Sequence, residues 1–292
     1  MIGKPIFKRE NLLYERQEKD GFWTIIPKYH PETRELVINR TAREILELCD
    51  GTKTIEAIEK ELKERYPDVS NELICKDVAT TLGRFSRLLI IEWVGENPFL
   101  YKREEMIDNI FSLRVAQEDI ILKLKSFIDN FQLLKHNVSY WAYSNPRIDA
   151  IFEYEYELVM LRYKLFTYSE EFFLLMKDEE IAGLISVSPV KFSGIIKLII
   201  TPKEYFTELL RYSVDNLPFI SVEEIAKIKI EELTNVPFED NFKQILLQEN
   251  FKEEAFLKHE LGYNNHIKSY VKMYSQEFIE KINLQKQKMV NK

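Results

Sequence analysis

Leu36-Val37-Ile38-Asn39-Arg40-Thr41-Ala42-Arg43-Glu44-Ile45-Leu46-Glu47-Leu48-Cys49-Asp50-Gly51 changes its period in the middle. The first three residues are apolar and largely β-branched, as in a short strand. From Thr41 onward, Ala42, Ile45, Leu46 and Cys49 fall on one helical face, and Thr41 with Glu44 has capping-box spacing. Asp50-Gly51 ends that helix, Gly51 supplying left-handed backbone. Upstream, Leu12-Leu13-Tyr14 and Phe22-Trp23-Thr24-Ile25-Ile26 read as further short strands, with Asp20-Gly21 and Pro31-Glu32-Thr33 as turn signals. Downstream, Thr54 caps a second helix carrying Ile55, Ile58 and Leu62, with Pro67 just beyond its end. Ser70 or Asn71 opens a third helix with Ile74, Val78, Leu82 and Phe85, and Leu89 to Trp93 reads as a closing strand. Three strands and three helices make a small winged-helix-like unit.

This run resembles the PqqD family over about residues 5–93, on Leu36-Val37-Ile38-Asn39, Ala42, Ile45-Leu46, Leu48-Cys49-Asp50-Gly51, Ile55, Ile58, Leu62 and Tyr66. That family includes the leader-recognition elements of enzymes that modify ribosomally made peptides. The resemblance implies that an extended leader peptide adds to the open edge of the third strand through main-chain hydrogen bonds. The edge is then Leu36, Val37 and Ile38, and the groove wall Val78, Thr81, Leu82 and Phe85, selecting apolar leader residues. A winged helix can instead read DNA, but Lys76, Arg84 and Arg87 of the third helix are mixed with Glu72 and Asp77.

Composition narrows the classes further. The 292 residues are 45% hydrophobic and 30% charged, with a net charge of −7; the length suits two small domains, and the charge argues against a general nucleic-acid binder. Cys49 and Cys75 both lie in apolar helical patterns and read as buried reduced thiols. No apolar run reaches membrane-spanning length and the N-terminal stretch is charged, so a cytoplasmic chain without membrane partners is expected. Paired-cysteine and His-x-x-x-His spacings are absent, so no metal site is expected.

Gly95-Glu96-Asn97-Pro98 breaks the closing strand, and the charged Lys102-Arg103-Glu104-Glu105 follows. The expected domains are 1–95, a short linker 96–110, a second domain 111–276 and a polar C-terminal tail 277–292. The second domain reads as mixed α/β: a strand over Phe111–Val115, a helix over Glu118–Leu134, a hairpin over Phe172–Met176 and Ile181–Val187, and a strand over Ile195–Ile200. A helix opened by Thr201-Pro202, a strand over Ala226–Ile230, a helix near Asp240–Gln248 and a final hairpin around Gly262 complete it. The fold class is therefore α+β, a small winged-helix-like unit followed by a mixed α/β domain. The aromatic segment from Ser139-Tyr140-Trp141-Ala142-Tyr143 to Tyr168 suits either packing on the sheet or a peptide or acyl-chain surface.

Over residues 110–275 this order resembles the GNAT superfamily of acyltransferases, on Leu113 to Asp119, Ile181-Ala182-Gly183-Leu184, Asn235 and Asn250-Phe251-Lys252-Glu253-Glu254. The resemblance implies transfer of an acyl group from acyl-CoA to an amine, with Ile199, Ile200, Thr201 and Asn235 at the cofactor. The sequence departs from it where the pyrophosphate would be held. Glu208 and Leu210 replace small residues, Pro202 lacks an N–H, and Thr201 with Glu204 has spacing for internal capping. An acyl-carrier protein fits such a loop better as donor. The position of the usual general-acid tyrosine is Leu246. Glu231, Glu232 and His259 are the candidates for a base. The expected function is that of a maturation protein that binds a precursor leader and N-acylates its core peptide. The alternative is a catalytically inactive scaffold that presents the precursor to other maturation enzymes.

Overall fold

The structure, a computed structural model, describes residues 3–29, 35–99, 104–221, 224–262 and 265–290. The turn expected at Pro31-Glu32-Thr33, and Lys102 and Arg103 of the charged joining segment, lie outside the described residues. Contacts divide the chain into two compact units, Met1–Tyr101 with Leu284–Lys292, and Lys102–Asn283.

The first unit contains β1 (Lys4–Phe7), β2 (Leu12–Gln17), β3 (Trp23–Pro27), β4 (Leu36–Ile38), α1 (Arg40–Leu48), α2 (Ile55–Arg65), α3 (Asn71–Arg87) and β5 (Ile91–Val94). β2, β3 and β4 form an antiparallel sheet in that order, and β1 pairs with β5. The three helices, the three strands of the sheet and the closing strand are found, and β1 is an additional strand. β1 carries too little pattern to read, because Lys4-Pro5-Ile6-Phe7 is short and contains a proline. Thr54 and Ser70 cap α2 and α3 as predicted, accepting from Ala57 N–H and Leu73 N–H. Asn39, not Thr41, caps α1: its backbone is still extended and its side chain accepts from Ala42 N–H at 2.8 Å, so the helix begins directly after β4. Ile25, Ile45, Leu46, Ile58, Leu62, Val78 and Leu82 are fully buried around this junction. Gly51 takes φ +79°, and a Cβ there would meet Ile6 Cγ1 at 2.7 Å, so glycine also lets β1 lie against the end of α1. Cys49 is buried, but Cys75 is exposed on α3, off the apolar stripe.

The second unit contains β6 (Glu105–Met106), β7 (Phe111–Val115), α4 (Ile121–Asp129), α5 (Phe131–Lys135), β8 (Tyr140–Ser144), α6 (Phe152–Glu155), α7 (Leu158–Thr167), β9 (Glu171–Lys177), β10 (Glu180–Val190) and β11 (Ser193–Pro202). It continues with α8 (Phe206–Ile220), β12 (Lys227–Leu233), α9 (Asp240–Gln248), β13 (Lys252–Leu257), β14 (Ile267–Met273) and the first part of α10 (Gln276–Val290), whose residues from Leu284 onward are counted with the first unit. One sheet runs β13-β14-β12-β11-β10-β9-β7-β6, with β8 also on β11. The fold class is the expected one, α+β with a mixed sheet in the second unit. β11 and β12 form the parallel pair, bridged by α8, as a parallel connection requires. They are in register only over Ser193–Ile195 and Lys227–Lys229. Further along, β8 takes the vacated edge of β11, antiparallel, from Leu198↔Ser144 to Pro202↔Tyr140.

Three expectations are corrected. The helix expected over Glu118–Leu134 is interrupted at Asn130, dividing it into α4 and α5. Thr201 does not open α8; it is a buried strand residue paired with Trp141, and α8 starts at Phe206 after a 3₁₀ turn. The segment expected as a polar tail forms the helix α10. Among the described residues no helix is long and apolar enough to cross a membrane, and no cluster of metal-binding side chains occurs.

Candidate functional site

In the first unit β4 is an edge strand: β3 pairs with one side of it, and no strand among the described residues pairs with the other. Beside it lies a cleft of about 280 Å³ between β4, the start of α1 and α3, lined by Val37, Ile38, Thr81, Phe85, Asp77 and Arg84 among others. Val37 is 66% exposed and lines the cleft. Of the predicted wall, Thr81 and Phe85 reach the cleft. Val78 and Leu82 are fully buried and belong to the core beneath it. Asp77, Thr80 and Arg84 were missed; they stand three and four residues from one another, on the helical face next to the apolar stripe. The wall is therefore more polar than the sequence implies, with apolar floor residues and a charged residue of each sign.

In the second unit the residues predicted for a cofactor are mostly enclosed. Ile199, Ile200 and Thr201 have no exposed surface, and β8 covers their strand edge. Lys203 N–H, just before α8, donates to Ser139 O at 2.9 Å. Asn235 is exposed beyond β12, with Nδ2 3.4 Å from Asn265 Oδ1. Leu246 is fully buried, and Asn250 adopts φ +65°, as expected for asparagine in a left-handed turn.

The predicted bases are also engaged. Glu231 is fully buried and meets Arg147 Nε at 2.7 Å and Lys229 Nζ at 3.2 Å. Burial raises its pKa, but the Arg147 hydrogen bond and the charges of Lys229 and Arg147 outweigh this and hold it below the ordinary carboxylate value. Glu232 is 1% exposed and binds Lys243 Nζ at 2.9 Å, Phe238 N–H at 2.6 Å and the Tyr270 hydroxyl at 2.9 Å. Neither is the exposed strand-end carboxylate that an amine could approach. His259 is exposed at φ +55°, its backbone N–H donating to His266 Nδ1 at 3.0 Å.

A second cleft, of about 340 Å³, lies between β8 and the connection from β12 to α9. Its walls are aromatic: Trp141 stands edge-on to Phe242 at 5.2 Å, Tyr143 edge-on to Phe238 at 5.6 Å, and Phe238 lies 4.9 Å from Phe242. The Tyr143 hydroxyl donates to Glu231 O at 2.9 Å, and burial and the nearby carboxylates push its pKa well above the ordinary value. Lys135, Asp149 and Glu239 also line the cleft.

A family model described as Coenzyme PQQ synthesis protein D (PqqD) matches residues 28–88. No curated protein sequence matches the chain. Solved structures similar to it include acetyltransferases. The ribosomal-protein-alanine acetyltransferase of Vibrio fischeri is 13% identical, with 60% of this chain and 98% of that one covered and a TM-score of 0.44. The ribosomal α-N-protein acetyltransferase RimL, solved with coenzyme A, is 13% identical over 59% and 98% of the two chains, with a TM-score of 0.42. A protein assigned to the GNAT family from Desulfovibrio desulfuricans is 11% identical over 56% and 98%, with a TM-score of 0.41.

Proposed function

We propose that the chain captures the extended leader of a ribosomally made precursor peptide on β4 and takes part in maturing that peptide. The observation that carries this reading is the edge of β4, unpaired among the described residues, with a cleft running beside it. An extended chain satisfies outward main-chain groups of such a strand, while alternate side chains enter the cleft. The match of residues 28–88 to the PqqD family supports the same reading. Val37 and Phe85 offer an apolar anchor point, and Asp77 and Arg84 offer charges to residues flanking it. The test is titration of the full-length protein with labelled extended peptides carrying an apolar residue between charged ones, followed by fluorescence anisotropy. Thr81→Trp fills the cleft without touching the core and should reduce affinity at least tenfold; equal binding by this variant would remove β4 from the account.

For the second unit, the enclosed edge of β11 and the ion-paired Glu231 and Glu232 favour presentation of the core peptide over acyl transfer from acyl-CoA. Transfer to an amine of the core is the other reading, supported by the sequence resemblance and by the order of elements from β7 to β14. Incubation with acetyl-CoA and the full precursor, followed by mass measurement, separates the two. An unchanged peptide mass is expected, and the gain of one acetyl group would establish transfer.

A further inference from the structure

We propose that the cleft beside β8 is a second peptide site, in which an extended segment with an apolar or aromatic side chain adds as a strand to the outer edge of β8. It goes beyond the leader reading and stands without it, because it uses a different strand edge. Two backbone bonds fix how β8 sits on β11. Asn145 N–H donates to Lys197 O at 2.7 Å, and Lys203 N–H donates to Ser139 O at 2.9 Å. Bonded positions alternate along an antiparallel ladder. Tyr143 and Trp141, opposite Ile199 and Thr201, therefore turn their main-chain groups to β11, whereas Ala142 and Ser144 turn theirs away. Both of these line the cleft, and no strand among the described residues pairs with them.

A side chain supplies the second observation. Trp141 is 7% exposed, and its Nε1 has no hydrogen-bond acceptor among the described residues. A buried N–H without an acceptor is unfavourable; other atoms of Trp141 line the cleft, and a ligand oxygen would meet Nε1 after a small turn of the ring, gaining an otherwise missing bond. The outward amides call for a ligand with its own alternating donors and acceptors, the indole calls for an acceptor, and Phe238 and Phe242 call for an apolar side chain. An extended peptide meets all three. The cleft offers no excess positive charge to a polyanionic donor such as acyl-CoA, since Glu239 is paired with Lys203 at 3.3 Å and Asp149 stands against Lys135.

The test uses full-length protein carrying Thr81→Trp, so that binding at β4 does not contribute, labelled with nitrogen-15. The probe is a blocked peptide of alternating valine and threonine with a central phenylalanine; acetyl-CoA is titrated in parallel. With the peptide, the Trp141 indole and the Ala142 and Ser144 amides should shift together, and Trp141→Phe, which keeps the ring packing, should weaken binding about tenfold. Val236→Glu, at an exposed position of the cleft rim, should weaken it without affecting folding. Absence of these shifts at millimolar peptide, or shifts produced by acetyl-CoA and not by peptide, would overturn the proposal.

Discussion

Glu231 shows how one residue's environment decides its chemistry. In the sequence it is the first of two carboxylates at the end of a strand, and nothing nearby in the chain reveals its partner Arg147, 84 positions away. Removing one member of a buried pair leaves the other uncompensated, at a cost of about 3–5 kcal/mol. Arg147→Ala should therefore destabilise the second unit by about 3 kcal/mol, the lower end because Lys229 remains; urea unfolding measures it. The pH dependence has a definite sign. The folded-state pKa of Glu231 lies below its ordinary value, so its contribution is present above the carboxylate range and is lost as pH falls through the folded pKa. In Arg147→Ala the same carboxylate loses its main stabilising partner, and acid unfolding followed by near-ultraviolet circular dichroism should begin at higher pH than in the parent.

Among elements, those with local signals were legible and those defined by distant partners were not. α2 and α3 announce themselves through Thr54, Ser70 and an apolar stripe, and α9 spans Asp240–Gln248 as its pattern predicts. β4 was likewise legible from Leu36-Val37-Ile38, and its open edge was implied by the resemblance to the PqqD family; the polar half of the cleft was not legible, because exposed Asp77 and Arg84 look like any solvated helix face. β8 was missed: Tyr140-Trp141-Ala142-Tyr143-Ser144 has no alternation, and it becomes a strand only because β11 and β12 diverge and leave an edge to pair with. β1 depends on Gly51 in the same way. Gly51→Ala places a side chain at φ +79° and 2.7 Å from Ile6, and should cost about 1–3 kcal/mol. Gly51→Asn tolerates the backbone angle but keeps the clash, so equal losses in the two variants, measured by thermal unfolding, would assign the effect to the contact with β1.

For the molecule as a whole, the two strand edges make different demands on ligands, and stability can report which are met. A ligand that binds only the folded state stabilises it by RT ln(1 + [L]/Kd), about 2.7 kcal/mol at one hundred times Kd. The leader peptide should raise the unfolding temperature of the unmodified protein by that route, and in Thr81→Trp, with affinity at least tenfold weaker, the same peptide concentration should give about 1.4 kcal/mol or less. Acetyl-CoA should produce none. Ile199 and Ile200 have no surface to offer it, Lys203 N–H is already bonded to Ser139, and Glu204 and Glu208 stand near the start of α8, where a diphosphate would need positive charge. For acetyl-CoA to bind along β11, β8 would first have to leave its edge, and the bonds from Leu198 to Pro202 would be lost in the exchange. A rise in unfolding temperature with acetyl-CoA, absent with free acetate, would mean that β8 detaches only if deuterium uptake at the amides of Ile199 and Thr201 also rose as donor was added; without that rise the donor would be bound elsewhere, with β8 in place.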